Sequence, residues 1–300
     1  MILIWMIPIL CLTKKIILKN KLNKMNIEDT KNKILEKAKS KGFKNFNIEN
    51  PKTWCEKMQY LQLYDEKNKL KTFCADKIKV HEYCKEKLGK DICVPILKIY
   101  NSPNEINIDE LPEKFILKCN HSFNKNIILR DKKDFDINLA KKNIKNWLSE
   151  PFGIKSIEPH YIGIERKCYS EKLLEQVGYK EITDYKFICF NGKPTYVQII
   201  NGRHTPDFHL NYYDMNFNFV DICRQDIKSN KEKLDKEPFG FNLMKEYAEK
   251  LSQDFKFVRV DFYSVDNVVY LGELTFTPAQ CFIKWTDDNV DRIFGDLLVL

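Results

Sequence analysis

Two strand-like segments near the C-terminus carry acids within regular apolar alternation, and this pattern constrains the fold more than any other part of the chain. The segments span residues 257–263 and 270–278. Side chains alternate across a strand, so Asp261 lies on the face opposite to Val260 and Phe262. One face of the first strand is therefore predicted to pack in a core, and the other to carry polar groups.

The spacing of the acids makes a demand on the turn between the two strands. If Asp261 pairs with Glu273, the hairpin is centred on Asn267 and its loop needs an odd number of residues. A two-residue turn at Asp266 and Asn267 would send the acids to opposite faces. A three-residue loop ending at Val268 would force a β-branched residue into the left-handed region, so we expect five loop residues or a β-bulge. Paired in this way, the two acids would bind one hard cation. Alternatively, Asp261 is an edge-strand acid whose hydrogen bonds are satisfied, and Glu273 faces water.

Composition bounds the class of protein. The chain has 300 residues, 43% of them hydrophobic, which is ample for one large domain or two closely packed ones. The net charge of +8 comes from dispersed lysines without a basic patch interleaved with aromatic residues, so no nucleic-acid partner is predicted. The ten cysteines show neither a Cys-x-x-Cys pair nor zinc spacing, which predicts reduced thiols in a cytoplasmic protein.

The N-terminal residues 1–24 form an apolar and basic extension. Residues 2–12 are almost wholly apolar, but this run is too short to span a bilayer, and the lysines follow it instead of preceding it. The lysines could hold the segment at the inner face of an anionic membrane as a peripheral contact. Alternatively, Met25 is the natural start of the protein.

The remaining chain alternates strands with few helices, which favours an α+β fold. Residues 25–75 are predicted to be largely helical, and a further helix from Asp76 to Gly89 places Lys77 in its first turn. Asp136 is predicted to cap another helix, and Asn191-Gly192 to form a type I′ turn. The predicted central strands span residues 113–119, 126–130, 168–174, 184–190 and 193–200.

Taken in order, these segments resemble the ATP-grasp superfamily, and in particular its teichuronopeptide-biosynthesis-type (TupA-like) amidoligases associated with surface-polysaccharide synthesis. The resemblance runs from about residue 76 to 278. It rests on seven short matches in the right order: 76–77, 118–121, 171–174, 184–187, 190–193, 259–261 and 272–275. It implies an ATP-grasp fold of two α+β subdomains clasping ATP, behind a short, mostly helical N-terminal region 25–112. The central lid subdomain would span about 113–170 and the C-terminal subdomain about 171–300.

The resemblance also implies a nucleotide site. Lys77 and Lys118 match the two lysines that bind the ATP phosphates, and Asp184 matches the ribose-binding acid. The hinge that meets the adenine matches Glu171, Lys172 and Leu174.

For the metal, the resemblance implies Mg²⁺ held by Asp261 and Glu273. Thr275 stands where many relatives have a third ligand, asparagine, and its hydroxyl would bind the ion directly or through water. Arg259 would face the transferred phosphate. Lys186 faces the presumed cleft and is assigned with Arg259 to catalysis.

One segment departs from the family pattern. Relatives carry a glycine-bearing lid after the lysine strand, whereas this chain has Ser122, Phe123 and Asn124. Without glycine the backbone approaches a phosphate less easily. Either Lys125 compensates or ATP turnover is weakened.

The implied activity is ATP-dependent carboxylate–amine ligation through an acyl phosphate, on a polysaccharide or its precursor. Its partners would be a small-molecule or saccharide carboxylate and an amine, and Arg203, His204 and His209 are candidates to hold the acceptor. The alternative is a glycosyltransferase that uses Asp134 and Asp136 as a DxD metal site. A sugar phosphotransferase and a noncatalytic scaffold remain further readings.

Overall fold

The computed structural model describes residues 26–66, 68–133, 135–154, 156–175, 182–203, 205–206, 208–229, 234 and 236–300. Helices and antiparallel sheets both contribute, which confirms the predicted α+β class. The predicted extension 1–24 lies outside the described residues. Within the described ranges, no helix is long and apolar enough to cross a membrane.

The helices and strands that the sequence predicts occur in the predicted order, with shifted ends, and among the described residues five further elements accompany them, at residues 96–100, 209–214, 219–220, 241–252 and 289–297. The helices are α1 (Ile27–Ser40), α2 (Trp54–Tyr64), α3 (Asn68–Ala75), α4 (Val80–Leu88), α5 (Ile137–Ser149), α6 (Phe241–Ser252) and α7 (Asn289–Leu297). The strands are β1 (Ile96–Tyr100), β2 (Phe115–Cys119), β3 (Asn126–Leu129), β4 (Cys168–Lys172), β5 (Asp184–Phe190), β6 (Lys193–Asn201), β7 (His209–Asp214), β8 (Phe219–Val220), β9 (Phe257–Val265) and β10 (Val268–Thr275).

The larger sheet has six antiparallel strands in the order β10-β9-β5-β6-β7-β8. Helix α6 packs on β5, β6 and β9, where Phe187, Val260 and Phe262 are fully buried. The opposite face packs against α2 and α7 through an aromatic cluster that includes Trp54 and Phe294. Both faces are thus covered at this end, and polar groups on either face need partners.

The smaller sheet has four antiparallel strands in the order β1-β4-β2-β3, and α5 covers it. Its core contains Phe115, Leu117 and Ile144, each with no exposed surface. Strand β1 precedes the proposed lid 113–170, strand β4 begins within its last residues, and the two strands pair with each other in this sheet. The subdomain boundaries stay a prediction.

The β9–β10 hairpin realises the predicted pairing by a bulge. Its turn has the two left-handed residues Asp266 and Asn267, with φ of 50° and 61°. The register then shifts between Leu271 and Glu273, so that Glu273 pairs with Asp261. The extra residue at the bulge is Gly272, where an added Cβ would lie 2.7 Å from the ring of Tyr263. The bulge therefore supplies the odd residue that places both acids on one face.

Other local predictions are confirmed, and one helix start is corrected. Asn191 and Gly192 have φ of 48° and 78°, as a type I′ turn requires, and Asp136 accepts a hydrogen bond from the N–H of Leu139 at 2.9 Å. Helix α4 begins at Val80 and not at Asp76. The Asp76 carboxylate accepts the N–H of Ile78 at 2.9 Å and so fixes a turn ahead of the helix.

Candidate functional site

A polar row crosses one face of the six-stranded sheet. In adjacent strands Glu273 pairs with Asp261, Asp261 with Lys186, Lys186 with Gln198, and Gln198 with Tyr212. Paired residues on neighbouring strands point to the same face, so these side chains lie side by side. The row joins the predicted metal ligands to the predicted catalytic lysine.

Asp261 is the centre of this row. Its carboxylate accepts hydrogen bonds from Arg259 at 2.7 and 2.6 Å and another from Lys186. Asp261 is 1% exposed. Burial disfavours the charge of Arg259, but the Asp261 carboxylate outweighs burial and raises the pKa of the guanidinium. The acid and its two cations thus form one closely hydrogen-bonded group.

Glu273 is the more open acid. Its Oε2 lies 3.1 Å from Nζ of Lys77, and its Oε1 accepts a hydrogen bond from the Thr275 hydroxyl at 3.1 Å and lies 3.8 Å from Arg259. Its side chain is 32% exposed. Burial would raise the pKa of Glu273, but the charges of Lys77, Lys186 and Arg259 outweigh burial and hold that pKa well below its usual range.

Asp184 lies at the other end of Lys186. It is 3.3 Å from Nζ of Lys186, and it accepts hydrogen bonds from Nε and Nη2 of Arg203 at 3.0 and 2.7 Å. Burial would raise the pKa of Asp184, but the two cations outweigh it and lower that pKa. Arg203, a candidate for the acceptor, is thus engaged with the predicted ribose acid.

Lys77 is positioned by a residue to which the sequence assigns no role. The carbonyl of Asn120 accepts the N–H of Lys77 at 3.1 Å, and Nδ2 of Asn120 donates to Asp76 at 2.9 Å. Asn120 also binds the backbone of Lys167, which precedes β4. Asn120 therefore fastens the Lys77 segment to the four-stranded sheet. The pattern Lys-Cys-Asn-His after an apolar strand was the only sequence signal for it.

Lys118 and Glu171 form a second lysine–acid pair, on the smaller sheet. Their side chains lie on neighbouring strands β2 and β4, with Nζ 2.5 Å from Oε1. The other carboxylate oxygen accepts the Tyr169 hydroxyl at 3.4 Å. The predicted phosphate lysine and the predicted hinge acid are therefore partners.

Lys172 ends β4 beside this pair, and Leu174 lies just after the strand. Leu174 is buried in a small apolar cluster with Val94 and Val265, against which Tyr263 packs. Lys172 donates its backbone N–H to the carbonyl of Pro95 at 3.0 Å, while its side chain is exposed. The cluster joins the segments next to β1 and β4 to strand β9 at the predicted hinge.

The loop that stands in place of a glycine-bearing lid is buried at its start and exposed at Phe123 and Asn124. His121 and Ser122 are 1% and 2% exposed, and Asn124 adopts a φ of 54°. Burial, together with the charge of Arg166, lowers the pKa of His121 to about 4. Lys125 binds Glu150 at 3.0 Å. A neutral histidine and a paired lysine thus line this loop.

Two cavities lie beyond Arg259 on the same face. The first is about 20 Å³, enough for one water, and is lined by Gln198, Tyr212, Arg224 and Arg259 among others. The second is about 730 Å³ and is bounded by Arg224, Lys228 and neighbouring polar groups of residues 219–229. Arg224 lines both cavities.

The acceptor candidate His209 does not line either cavity. His209 begins β7 and pairs with Asn201 in the sheet. His204 lies outside the described residues, as does Asp134 of the DxD pattern. Asp136, the other acid of that pattern, is the cap of α5.

The residues of the row fit a magnesium ion. Asp261, Glu273 and Thr275 offer hard oxygen donors on adjacent strands, which Mg²⁺ prefers. The depressed pKa of Glu273 keeps that donor ionised at neutral pH.

Comparisons with known proteins place the chain in one family. The model of the family described as TupA-like ATPgrasp matches residues 56–299. A search of curated proteins found no match.

Solved structures with a related fold are ligases of low similarity. They include D-alanine–D-alanine ligase from Bacillus anthracis, with 16% identity, a TM-score of 0.40, and coverage of 68% of this chain and 57% of that one. The corresponding enzyme from Helicobacter pylori has 14% identity, a TM-score of 0.41, and coverage of 76% and 59%. The ATP-grasp ligase PsnB, complexed with minimal precursor, has 11% identity, a TM-score of 0.37, and coverage of 69% and 54%. The chain spans little more than half the length of these proteins.

Proposed function

Because the chain belongs to the TupA-like ATP-grasp family, we propose that it is an ATP-dependent carboxylate–amine ligase that works through an acyl phosphate. The observation that carries this proposal is the set of cations at the polar row: Lys77, Lys186 and Arg259 contact its acids Asp261 and Glu273. Fixed cations beside oxygen ligands suit phosphoryl transfer, where the protein supplies positioning and charge stabilisation.

The nucleotide is proposed to lie between the two sheets. Lys77 and Lys118 would exchange their carboxylate partners, Glu273 and Glu171, for phosphate oxygens. The apolar cluster around Leu174 would receive the adenine, as a flat apolar ring requires. Asp184 would accept a ribose hydroxyl, since its pKa keeps it ionised at neutral pH.

Magnesium is proposed to be held by Asp261 and Glu273, with Thr275 beside them. When bound, Mg²⁺ neutralises charge on the phosphate oxygens. Arg259 holds Asp261 in place and presents the rest of its guanidinium to the transferred phosphate. Lys186, fixed between two acids, adds a positive charge where the phosphoryl group moves.

The reaction would proceed in two displacements. A carboxylate oxygen of the acceptor attacks the γ-phosphorus and ADP leaves. The amine then attacks the acyl carbon and phosphate leaves, giving an amide. Neither step needs a side-chain nucleophile, because correct placement of the reactants lowers the barrier.

The acceptor is proposed to enter from the side of Arg224. The larger cavity is lined by Arg224, Lys228 and Ser229, which suit a carboxylate and the hydroxyls of a saccharide. Asp221 and Asp226 line it too, and Arg224 would exchange its partner Asp226, at 2.6 Å, for the carboxylate of the acceptor. Arg224 and Arg259 line the small cavity between this entrance and Asp261. A saccharide carboxylate, such as a uronic acid of a polysaccharide or its precursor, fits these groups.

Nucleotide binding is the first test. We expect ATP with Mg²⁺ to protect the full chain against thermal unfolding, since a ligand that binds only the folded state raises its stability. Lys77→Met and Lys118→Met should each weaken binding of a nonhydrolysable ATP analogue by about 10-fold or more, as loss of one charge-assisted contact predicts. Lys98→Met is the matched control, because Lys98 lies on β1 and pairs with the exposed Glu110.

Turnover is the second test. ADP release should require both a carboxylate, tested with a panel of uronic acids, and an amine, and Asp261→Ala and Glu273→Ala should abolish it. Protection by nucleotide sugars but not by ATP would contradict ligation and favour a glycosyltransferase. Full turnover in Asp261→Ala would show that Asp261 is not a ligand of the catalytic metal.

A further inference from the structure

Four potential metal ligands are grouped around the end of α4. His81 and Cys84 are three residues apart on the helix, so their side chains share a face. Asp91 and Cys93 are two residues apart in the segment that follows. The left-handed Gly89 between the two pairs, with φ of 71°, turns the chain back on itself. Because one member of each pair is not a cysteine, a search for cysteine pairs alone does not find this group.

The ligand atoms of the group are close together. Nδ1 of His81 lies 2.9 Å from Oδ2 of Asp91, and one ligand atom each from His81, Asp91 and Cys93 lies within 4.8 Å of the others. Cys84 lies one turn along the helix from His81, and its thiol donates to the carbonyl of Lys90 at 3.7 Å, in the turn that leads to Asp91 and Cys93. Cys84 is fully buried and Cys93 is 8% exposed.

We propose that His81, Asp91 and Cys93 bind a zinc ion, with Cys84 completing a four-ligand site. Zinc takes imidazole, carboxylate and thiolate ligands together in tetrahedral sites. The buried thiols and the partly exposed histidine and aspartate leave one side of the group open for an ion to enter.

The His81–Asp91 side of the site requires only a small adjustment to admit the ion. With bonds of about 2.0 Å to nitrogen and oxygen, ligands in a tetrahedral zinc site lie about 3.3 Å apart. His81 and Asp91 would therefore separate by a few tenths of an ångström. Lys85, whose Nζ is 3.6 Å from Asp91, has a side chain that is 62% exposed and can turn to water.

The position of the site gives the ion a structural role. Ile92 accepts the N–H of Leu271 at 2.8 Å, and Val94 donates to the carbonyl of Leu271 at 3.2 Å. Leu271 precedes the bulge that places Glu273, while α4 follows the segment that carries Lys77. An ion bound here would fasten α4 to β10 and would keep Lys77 and Glu273 in position next to each other. This role is separate from the proposed ligation.

Metal binding itself is the test, independent of any activity. The full chain, stripped of metal and kept reduced, should bind one Zn²⁺ per molecule, and Co²⁺ in its place should give a thiolate-to-cobalt charge-transfer absorption. His81→Ala and Cys93→Ser should each weaken Zn²⁺ binding by at least about 10-fold, since loss of an indirect partner alone costs about 10- to 100-fold. Cys223→Ser, a thiol outside the group, should bind as the unaltered chain does.

Asp91→Asn provides a variant that preserves shape if the cysteine substitution impairs folding. It should also weaken Zn²⁺ binding while leaving the helical circular dichroism unchanged. Zinc should raise the Tm of the unaltered chain and not that of His81→Ala. The proposal would be overturned if the unaltered chain failed to bind Zn²⁺, or if the three ligand variants bound it as tightly as Cys223→Ser. A Co²⁺ spectrum without a thiolate charge-transfer band would also overturn it.

Discussion

The two sheets each hold a lysine–acid pair between neighbouring strands, but the pairs differ in their surroundings. Lys186 and Asp261 have side chains 8% and 2% exposed, and each has a second charged partner, Asp184 and Arg259. Lys118 and Glu171 are 19% and 9% exposed, and their further contact is with a tyrosine hydroxyl. A buried network of this kind is costly to break, whereas a single pair nearer to solvent is cheaper to open.

The difference indicates that the two pairs have different roles in the proposed site. The network on the six-stranded sheet holds Asp261 and Arg259 in a fixed geometry before any ligand arrives, which is what preorganised charge stabilisation requires. The pair on the four-stranded sheet can exchange Glu171 for a phosphate at lower cost. A rigid centre would thus work beside an adjustable nucleotide contact.

Loss of the central acid should give the largest difference between the two pairs. Asp261→Asn leaves Arg259 and Lys186 without their common carboxylate, so we expect the free energy of unfolding to fall by about 3–5 kcal/mol. Glu171→Gln leaves a lysine that can reach water, and it should cost about 1 kcal/mol. Urea unfolding of both variants measures the two losses. Equal losses of unfolding free energy would show that the buried network is no harder to break than the more exposed Lys118–Glu171 pair.

The bulge should be the next most sensitive point. In Gly272→Ala the new Cβ would lie 2.7 Å from the ring of Tyr263 and 3.3 Å from the carbonyl of Asp261. We expect a loss of about 1–3 kcal/mol, as overpacking of a filled site predicts, and weaker binding of ATP with Mg²⁺ because Glu273 is displaced. Gly163→Ala, whose Cβ would lie 3.2 Å from a Thr72 methyl, is the control. If Gly272→Ala left stability and ATP affinity unchanged, the bulge would not be what positions Glu273.

A pH titration should separate the contribution of Lys77. Because the pKa of Glu273 is depressed in the folded state, its ion pairs stabilise the protein above the unfolded pKa of about 4.3, and this stability is lost as pH falls through the folded pKa. Lys77→Met should therefore be less stable than the unaltered chain at pH 7, with a gap that narrows below about pH 4. Chemical unfolding at several pH values measures the gap. A constant gap would mean that Lys77 acts by packing alone.

The smallest effect should come from the outer partner of the network. Arg203 has a side chain that is 40% exposed, and Asp184 keeps Lys186 as a second cation when Arg203 is lost. Arg203→Met should cost less than about 1 kcal/mol. A loss as large as that of Asp261→Asn would extend the rigid network to the edge of the cleft.

Much of the local structure could be predicted from short-range patterns. The alternation around Asp261, the Asn191-Gly192 turn and the Asp136 cap each depend on residues close together in the chain. The extra residue between Asp261 and Glu273 could also be predicted, because side chains alternate along a strand and the register fixes the face on which each one lies. The choice of a bulge at Gly272 over a longer loop was not, since it depends on the space beside Tyr263.

The sequence by itself determined the α+β class, the family and the residue types of the candidate site, because these follow from periodicity and from the order of short matches. Only the tertiary structure decided which charges meet. Lys77 reaches Glu273, Asn120 holds the Lys77 segment, and Arg203 occupies Asp184 across long stretches of chain. Such contacts depend on how the two sheets and their connecting segments pack, and local sequence carries no record of that packing.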